Sequence, residues 1–299
     1  MYSEIKKIKE LFDSGANVME YFRSLSNSRN NSIEAIKVSY DLQAGTYIGV
    51  YKSHREFNNL YTGTIASLLE NLGKHKSILE AGVGEATTLA NVVEKMVNKP
   101  EYACGFDISW SRINYARAFA QSKQVSADWL FTGDLFHIPM RDNSVDVVYT
   151  SHSIEPNGGK EKEALQELYR IAGKYLILLE PAYELASDEA KARMEHHGYV
   201  RGLKSTAESL GYNVKEYRLF DHIINPLNPT GLLIIEKNSE AAPATPQFAC
   251  PITGGILEKS GDCYYAAESL LAYPVIGGVP CLLAENGILA SGFNKPIEL

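Results

Sequence analysis

ILEAGVGEATTLA, residues 78–90, passes from a short apolar, strand-like run into a helical one through a pair of glycines. At such a strand–helix turn the missing side chains of Gly82 and Gly84 let a ligand approach the backbone closely. A lone Gly-x-Gly is common, so its weight comes from its companions. Glu80 precedes the glycines at the strand end, Asp107 closes the next strand in GFDIS, and Asp134 closes the third in GDLFHIP. In an open parallel sheet these strand ends line one crevice beside the point where strand order reverses, and ligands bind there.

The surrounding pattern supports such a sheet. From Ser77 onward, SILEA, Thr87 to Val97, YACGFD, Trp110 to Ser122, WLFTGD, VDVVYTS, Lys160 to Ile171 and KYLILLE alternate strand-like with helical character. Continuous apolar strands separated by helices indicate a parallel sheet covered on both faces. Helical stretches follow from Ala186 to His197 and from Leu203 to Leu210. NVKEYRLF and GLLIIEK are then separated only by the loop Asp221 to Thr230, so this last pair should be antiparallel. Before residue 76 the spacing is helical: Ile5, Ile8, Leu11 and Phe12, then Val18, Tyr21, Phe22 and Leu25. A polar break from Ser26 to Ser32 follows, then SIEAIKVSYDLQAGTYI and an amphipathic stretch from Thr64 to Leu72.

The expected fold class is α/β: a Rossmann-like, seven-stranded, mostly parallel sheet with helices on both faces and an antiparallel last strand pair. N-terminal helices and a small β-rich C-terminal module should complete it. The expected boundaries are a helical cap and lid at 1–75, the ligand-binding domain at 76–237, a linker, NSEAAPATPQ, at 238–247, and the module at 248–299.

The acidic strand ends carry the chemistry. A carboxylate at Asp107 can accept two hydrogen bonds from vicinal ribose hydroxyls, and one at Asp134 can accept from an exocyclic adenine amine. The crevice should therefore hold an adenosyl group. A dinucleotide site would carry a third glycine in G-x-G-x-x-G, and Thr87 occupies that place here. Glu80 would repel a pyrophosphate, yet it suits an ammonium group. S-adenosylmethionine fits this pattern better than NAD.

Taken in order, ILEAGVGEA, GFDISWSRINYAR, GDLFHIPMRDNSVDVVYTSHSIE and KYLILLEP resemble the motifs of class I S-adenosylmethionine-dependent methyltransferases of the small-molecule type. The resemblance implies Gly82 and Gly84 behind the methionine portion and Asp107 and Ile108 at the ribose. It implies Asp134 and the Leu135 backbone at the adenine, and Ser151 at the end of the fourth strand. SYDLQAGTYI, residues 39–48, resembles the segment that closes over the cofactor, with Tyr40 and Tyr47 as lid aromatics. Glu80 stands where Asp is usual, and Ala86 where Gly is usual.

TSHSIEPNGG ends the fourth strand where the transferred methyl should lie. His152 and Glu155 are the candidates for orienting or deprotonating an acceptor hydroxyl, since both groups can accept its proton. A packed histidine and a glutamate that neutralises a helix start are the structural alternative. The expected reaction is in-line methyl transfer, at oxygen, to a small metabolite or glycan intermediate, with no metal required because the sulfonium is already activated. Methylation of tRNA, rRNA or a translation protein is the same-class alternative, and a non-catalytic cofactor-binding scaffold is the alternative from another class.

CPITGGILEKSGDCYYAAESLLAYPVIGGVPCLL, residues 250–283, resembles the small zinc-ribbon-like proteins that activate tRNA, rRNA and release-factor methyltransferases. Cys250-Pro251 and LAYPVIGGVPCLL carry that resemblance. Thr253 stands where the second cysteine of a knuckle would be, and Cys250, Cys263 and Cys281 are spread singly. Tetrahedral zinc wants four ligands, commonly in two close pairs, so a metal-free module is expected.

Composition bounds the rest. The 299 residues are 45% hydrophobic and 22% charged, as in a folded globular protein. A net charge of -7 argues against holding nucleic acid through its phosphates. Residues 238–299 hold six acidic side chains and two lysines, so -4 of that charge belongs to the linker and the C-terminal module that contains the activator-like stretch. Four cysteines do not make a disulfide framework. No apolar run nears the roughly 18 residues of a membrane span, and the charged N-terminus is unlike a secretory signal. A cytoplasmic protein is expected. Its partner should be a small-molecule acceptor, not a membrane or nucleic acid, with a homodimer left open.

Overall fold

Each short apolar run becomes a strand: β1 Ser77–Ala81, β2 Tyr102–Asp107, β3 Leu130–Thr132, β4 Val145–Ser151, β5 Ala172–Pro181, β6 Asn213–Leu219 and β7 Thr230–Glu236. The structure is a computed structural model and describes residues 4–26 and 30–293. Residues 1–3 of the N-terminal segment, 27–29 of the polar break and 294–299 of the C-terminal module lie outside the described residues.

The strands form one sheet in the order β3-β2-β1-β4-β5-β7-β6. The first five run parallel, and β7 lies antiparallel between β5 and β6. Strand order reverses at β1 and β4. Every residue of β1 and of β5 is buried, as strands covered on both faces require.

Among the described residues five α-helices precede the sheet: α1 Ile5–Asp13, α2 Val18–Ser26, α3 Ile33–Leu42, α4 Thr46–Ser53 and α5 Arg55–Asn71. SIEAIKVSYDLQAGTYI thus splits near Gly45 into α3 and the start of α4. Between the strands lie α6 Thr87–Lys95, α7 Trp110–Ser122, α8 Glu161–Ile171, α9 Asp188–His197 and α10 Leu203–Ser209. The Ser32 hydroxyl caps α3 by accepting from the Ala35 amide, and Ser109 caps α7 by accepting from Arg112. Three apolar clusters result among the described residues, the smallest joining Ile8, Val18 and Val38 of the N-terminal helices and the other two packing on the sheet. Tyr61 and Ile65 of α5, Leu89 of α6 and Ile113 of α7 pack in one; Leu165 and Leu168 of α8 pack with Phe248, Tyr273 and Leu282 in the other. Among the described residues no helix is long and apolar enough to cross a membrane.

The C-terminal strands β8 Glu258–Ser260, β9 Cys263–Ala266, β10 Leu271–Ile276, β11 Val279–Pro280 and β12 Ile288–Leu289 form a small antiparallel sheet. It docks on β3, the edge of the main sheet, where Cys281 pairs in parallel with Thr132 and the Leu282 amide donates to the Thr132 carbonyl at 3.2 Å. Beyond β3, Phe248 pairs with Met140, and Ala249 donates to Pro139. An exposed edge presents unpaired backbone groups, and this module covers them. Residues 238–247 contain no regular element, and the buried Asp146 fixes them by accepting from the Ala244 amide at 2.8 Å. Cys250 and Cys281 are buried and Cys263 is half-buried. Among the described residues no group of three or more His, Cys, Asp or Glu side chains is placed to hold a metal ion.

The Phe248 ring lies 4.8 Å from Trp129, 4.9 Å from Phe131 and 5.1 Å from Tyr264, so it joins the two sheets. Phe248→Ala should cost about 3–5 kcal/mol in urea unfolding followed by fluorescence. Ile252→Ala, at a site 58% exposed, should stay within about 0.5 kcal/mol of the parent. Equal, small effects would show that the module does not share the core.

Candidate active site

A cleft opens at the C-terminal ends of β1 to β4, under α3 and the start of α4. Glu80, Gly82, Gly84, Asp107 and Ile108 line one part of it, and Asp134, Leu135 and Ser151 another. Tyr40 and Tyr47 line it from the lid side. The fold therefore brings together all ten residues expected at the cofactor. His152 also lines the cleft, whereas Glu155 lies behind it.

The turn after β1 is built from left-handed backbone. Gly82 has φ +68° and Gly84 φ +55°. A Cβ on Gly82 would stand 2.2 Å from the Ser153 Cβ, so the β1 and β4 loops touch only because position 82 has none. Ala86 is also left-handed, at φ +56°. That conformation costs an L-residue about 1–2 kcal/mol, which explains why a glycine is the easier residue there.

The carboxylates are desolvated to different degrees of compensation. Glu80 is 2% exposed and accepts one hydrogen bond from the Tyr149 hydroxyl at 3.0 Å. Burial pushes its pKa up to about 8, with the Tyr149 bond opposing. Asp107 accepts from the Gly84 amide at 3.1 Å and the Ser109 amide at 2.9 Å. Burial raises its pKa too, opposed chiefly by the Arg112 charge. Asp134 serves its own turn, accepting from the Phe136 amide at 3.0 Å, while still facing the cleft.

Sequence reasoning missed the groups that fix the lid. Glu85 accepts from the amides of Gly45, Tyr47 and Ile48 at 2.8, 3.2 and 2.7 Å, and so caps α4. Asp41, at the end of α3, accepts from the Ser109 hydroxyl and from the Ser111 amide and hydroxyl at the start of α7. The lid and the domain thus cap each other. Arg112 lies between the rings of Tyr40 and Tyr47, 4.7 and 4.3 Å from their centroids. Ile33 and Ile36 of α3, with Phe136, add an apolar wall.

On the acceptor side His152 has φ +53°, a strained position for a non-glycine residue. Its Nδ1 lies 2.7 Å from Glu155 Oε2 and its Nε2 2.7 Å from the Thr230 hydroxyl. Asn228 also donates to Glu155. Burial lowers the His152 pKa, but the hydrogen bond and charge of Glu155 more than offset this, so it is raised above 6.5. Glu155 is lowered, because His152 outweighs the effect of burial. Glu180 accepts from the Ser153 and Ile154 amides through Oε1, its Oε2 is buried without a hydrogen-bond partner, and burial pushes it up to about 7. Tyr183 does not line the cleft; its hydroxyl donates to Glu195. His196 and His197 end α9, and Gly198 caps it.

A family profile described as a methyltransferase domain matches residues 78–174, the span from the glycine turn to the start of β5. Residues 78–174 thus carry an S-adenosylmethionine-dependent methyltransferase domain. Ajmaline N-methyltransferase of Rauvolfia serpentina is 23% identical over 202 residues, covering 59% of this chain and 68% of that protein. The fold is shared with magnesium protoporphyrin IX methyltransferase of Synechocystis PCC 6803, solved with bound S-adenosylhomocysteine. That likeness has a TM-score of 0.52 at 14% identity and covers 67% of this chain and 99% of the other.

The residues present suit the cofactor. The glycine turn forms a cradle, Asp107 keeps lone pairs free for a diol, and the Arg112 Nε and Nη2 and the Ser153 hydroxyl are buried without hydrogen-bond partners. Glu80 is the natural partner of an ammonium group, which it can pair with only when ionised. Below about pH 8, binding should therefore release a proton. The dissociation constant for S-adenosylhomocysteine should fall roughly tenfold per pH unit between pH 6 and 7.5. Titration calorimetry in buffers of differing ionisation enthalpy reads both effects. Glu80→Gln should weaken binding and flatten the dependence, and a pH-independent parent would refute the assignment.

Proposed function

We propose that this enzyme methylates a hydroxyl oxygen of a small metabolite with an apolar body, and that His152, oriented by Glu155, removes the proton. The His152–Glu155 pair at the mouth of β4 carries this reading. Bound S-adenosylmethionine supplies a methyl group already activated by its sulfonium. Gly82, Gly84, Glu80, Asp107 and Asp134 hold and orient it. Ile33, Ile36, Tyr40 and Phe136 exclude water and favour an apolar metabolite over a glycan. The acceptor oxygen forms the new bond to carbon as the bond from carbon to sulfur breaks. The hydroxyl proton passes to His152 Nε2, in exchange for the Thr230 hydrogen bond. Glu155 stabilises the resulting imidazolium and holds the ring tautomer, as a carboxylate does behind other catalytic histidines.

The acidic chain and its more acidic C-terminal module speak against RNA as the acceptor. That module instead serves the catalytic domain in the manner of an activator subunit. Its contacts at Thr132 and Met140 support this, because they bracket the loop that gives Gly133, Asp134, Leu135 and Phe136 to the cleft. The similarity to ajmaline N-methyltransferase favours a second reading, in which the acceptor atom is nitrogen.

The pH profile of kcat/KM separates the two. For an oxygen acceptor, activity should rise with pH through an apparent pKa above 6.5, because protonated His152 cannot accept. Glu155→Gln removes the group that raises that pKa, so the limb should move to lower pH while the plateau drops at least about tenfold. His152→Gln should cost about 100-fold or more in kcat. A limb that follows the acceptor's own pKa and ignores Glu155→Gln would instead indicate an amine.

A further inference from the structure

Arg112 is 5% exposed and is the one arginine or lysine among the described residues lining the cleft. It enters from the first turn of α7, five residues after Asp107. Tyr40 and Tyr47 close on its two faces at 4.7 and 4.3 Å. Its Nη1 stands 3.7 Å from Asp107 Oδ2, beyond hydrogen-bond range, and 3.5 Å from where a Cβ on Gly84 would lie. Nε and Nη2 are buried with no hydrogen-bond partner. A guanidinium has five N–H donors and no acceptor. Leaving such donors unmet in the interior costs about 1–3 kcal/mol each, so a buried group in this state is set to meet a ligand's oxygen atoms.

Asp107 identifies which oxygens. A ribose hydroxyl is at once a donor and an acceptor. Asp107 can take the two protons of a vicinal diol, but a carboxylate has nothing to offer the lone pairs of the same hydroxyls. We propose that Arg112 supplies those donors: Asp107 and Arg112 together form a two-sided clamp for the cofactor's ribose, and the tyrosines of the lid hold its cationic half in place. This rests on the S-adenosylmethionine reading of the cleft. It adds a cofactor-recognition residue to the cleft. The pair also leaves the site with no net charge, which suits a neutral diol.

Two ligands test it by calorimetry on the full chain: S-adenosylhomocysteine, and 5′-methylthioadenosine, which keeps the ribose and lacks the amino-acid carboxylate. Arg112→Met should weaken both by about 10- to 100-fold, the range for hydrogen bonds from a charged donor. Arg112→Lys keeps a cation beside Asp107 and loses the planar fork, so it should fold like the parent and weaken both ligands several-fold. It decides the matter if the methionine variant does not fold. Loss confined to S-adenosylhomocysteine would place Arg112 at the carboxylate and overturn the proposal, as would unchanged affinity for both. Failure of the parent chain to bind S-adenosylhomocysteine would instead strike the cofactor reading itself.

Discussion

Buried negative charge at the ends of the strands is the constraint that shapes this molecule. Glu80, Glu85, Asp107 and Glu180 are each at most 5% exposed. A carboxylate so placed must find donors, find a positive charge, or give up its own charge. Glu85 finds three amides, which take up most of its acceptor capacity. Asp107 finds two amides and a nearby guanidinium. Glu80 meets the Tyr149 hydroxyl and has no cation beside it to offset its burial, and Glu180 keeps one oxygen unmet. Glu85 is spent mostly on the backbone of α4, whereas Glu80 and Asp107, which also line the cleft, keep acceptor capacity that a ligand can meet. The left-handed turn at Gly82 and Gly84 follows from the same need, since it turns the Gly84 amide toward Asp107.

The same electrostatics joins the lid to the domain. A helix start carries several unpaired amides and a partial positive charge. The start of α4 meets Glu85 of the domain, and the start of α7 meets Asp41 of the lid. Each element satisfies the other's exposed end, so both caps tie the N-terminal helices to the domain. Arg112 stands between the two caps with a lid tyrosine on each face.

The fold was legible in the sequence because its signals are local. Strand runs such as VDVVYTS and helices such as Trp110 to Ser122 begin and end where apolar spacing changes, and the missing crossover before GLLIIEK announced an antiparallel strand. The acidic and glycine positions of the cleft were legible for a related reason: a strand end fixes where a side chain points. Arg112, Glu85 and Asp41 were not legible. In sequence, Arg112 is an ordinary helix cation and Glu85 an ordinary loop acid. Their partners lie some 40 to 70 residues away, and no spacing encodes such a meeting. The three-residue step from His152 to Glu155 suggested a pair, whereas Thr230, which completes it, comes from the far side of the sheet.

The placing of the C-terminal module escapes sequence patterning too, yet it bears on the chemistry. β3 has three residues and a single neighbour in the main sheet. So short an edge strand is poorly held by its own ladder, and the loop after it, residues 133 to 139, supplies cleft wall while containing no regular element. The module pairs with Thr132 before that loop and with Met140 after it, and inserts Phe248 against Phe131 beneath. Both ends of the loop are thereby fixed to a second sheet with its own core. A wall that is to position a ligand closely needs such support, and the rest of the cleft takes its own from β1, β2 and β4, which lie inside the main sheet.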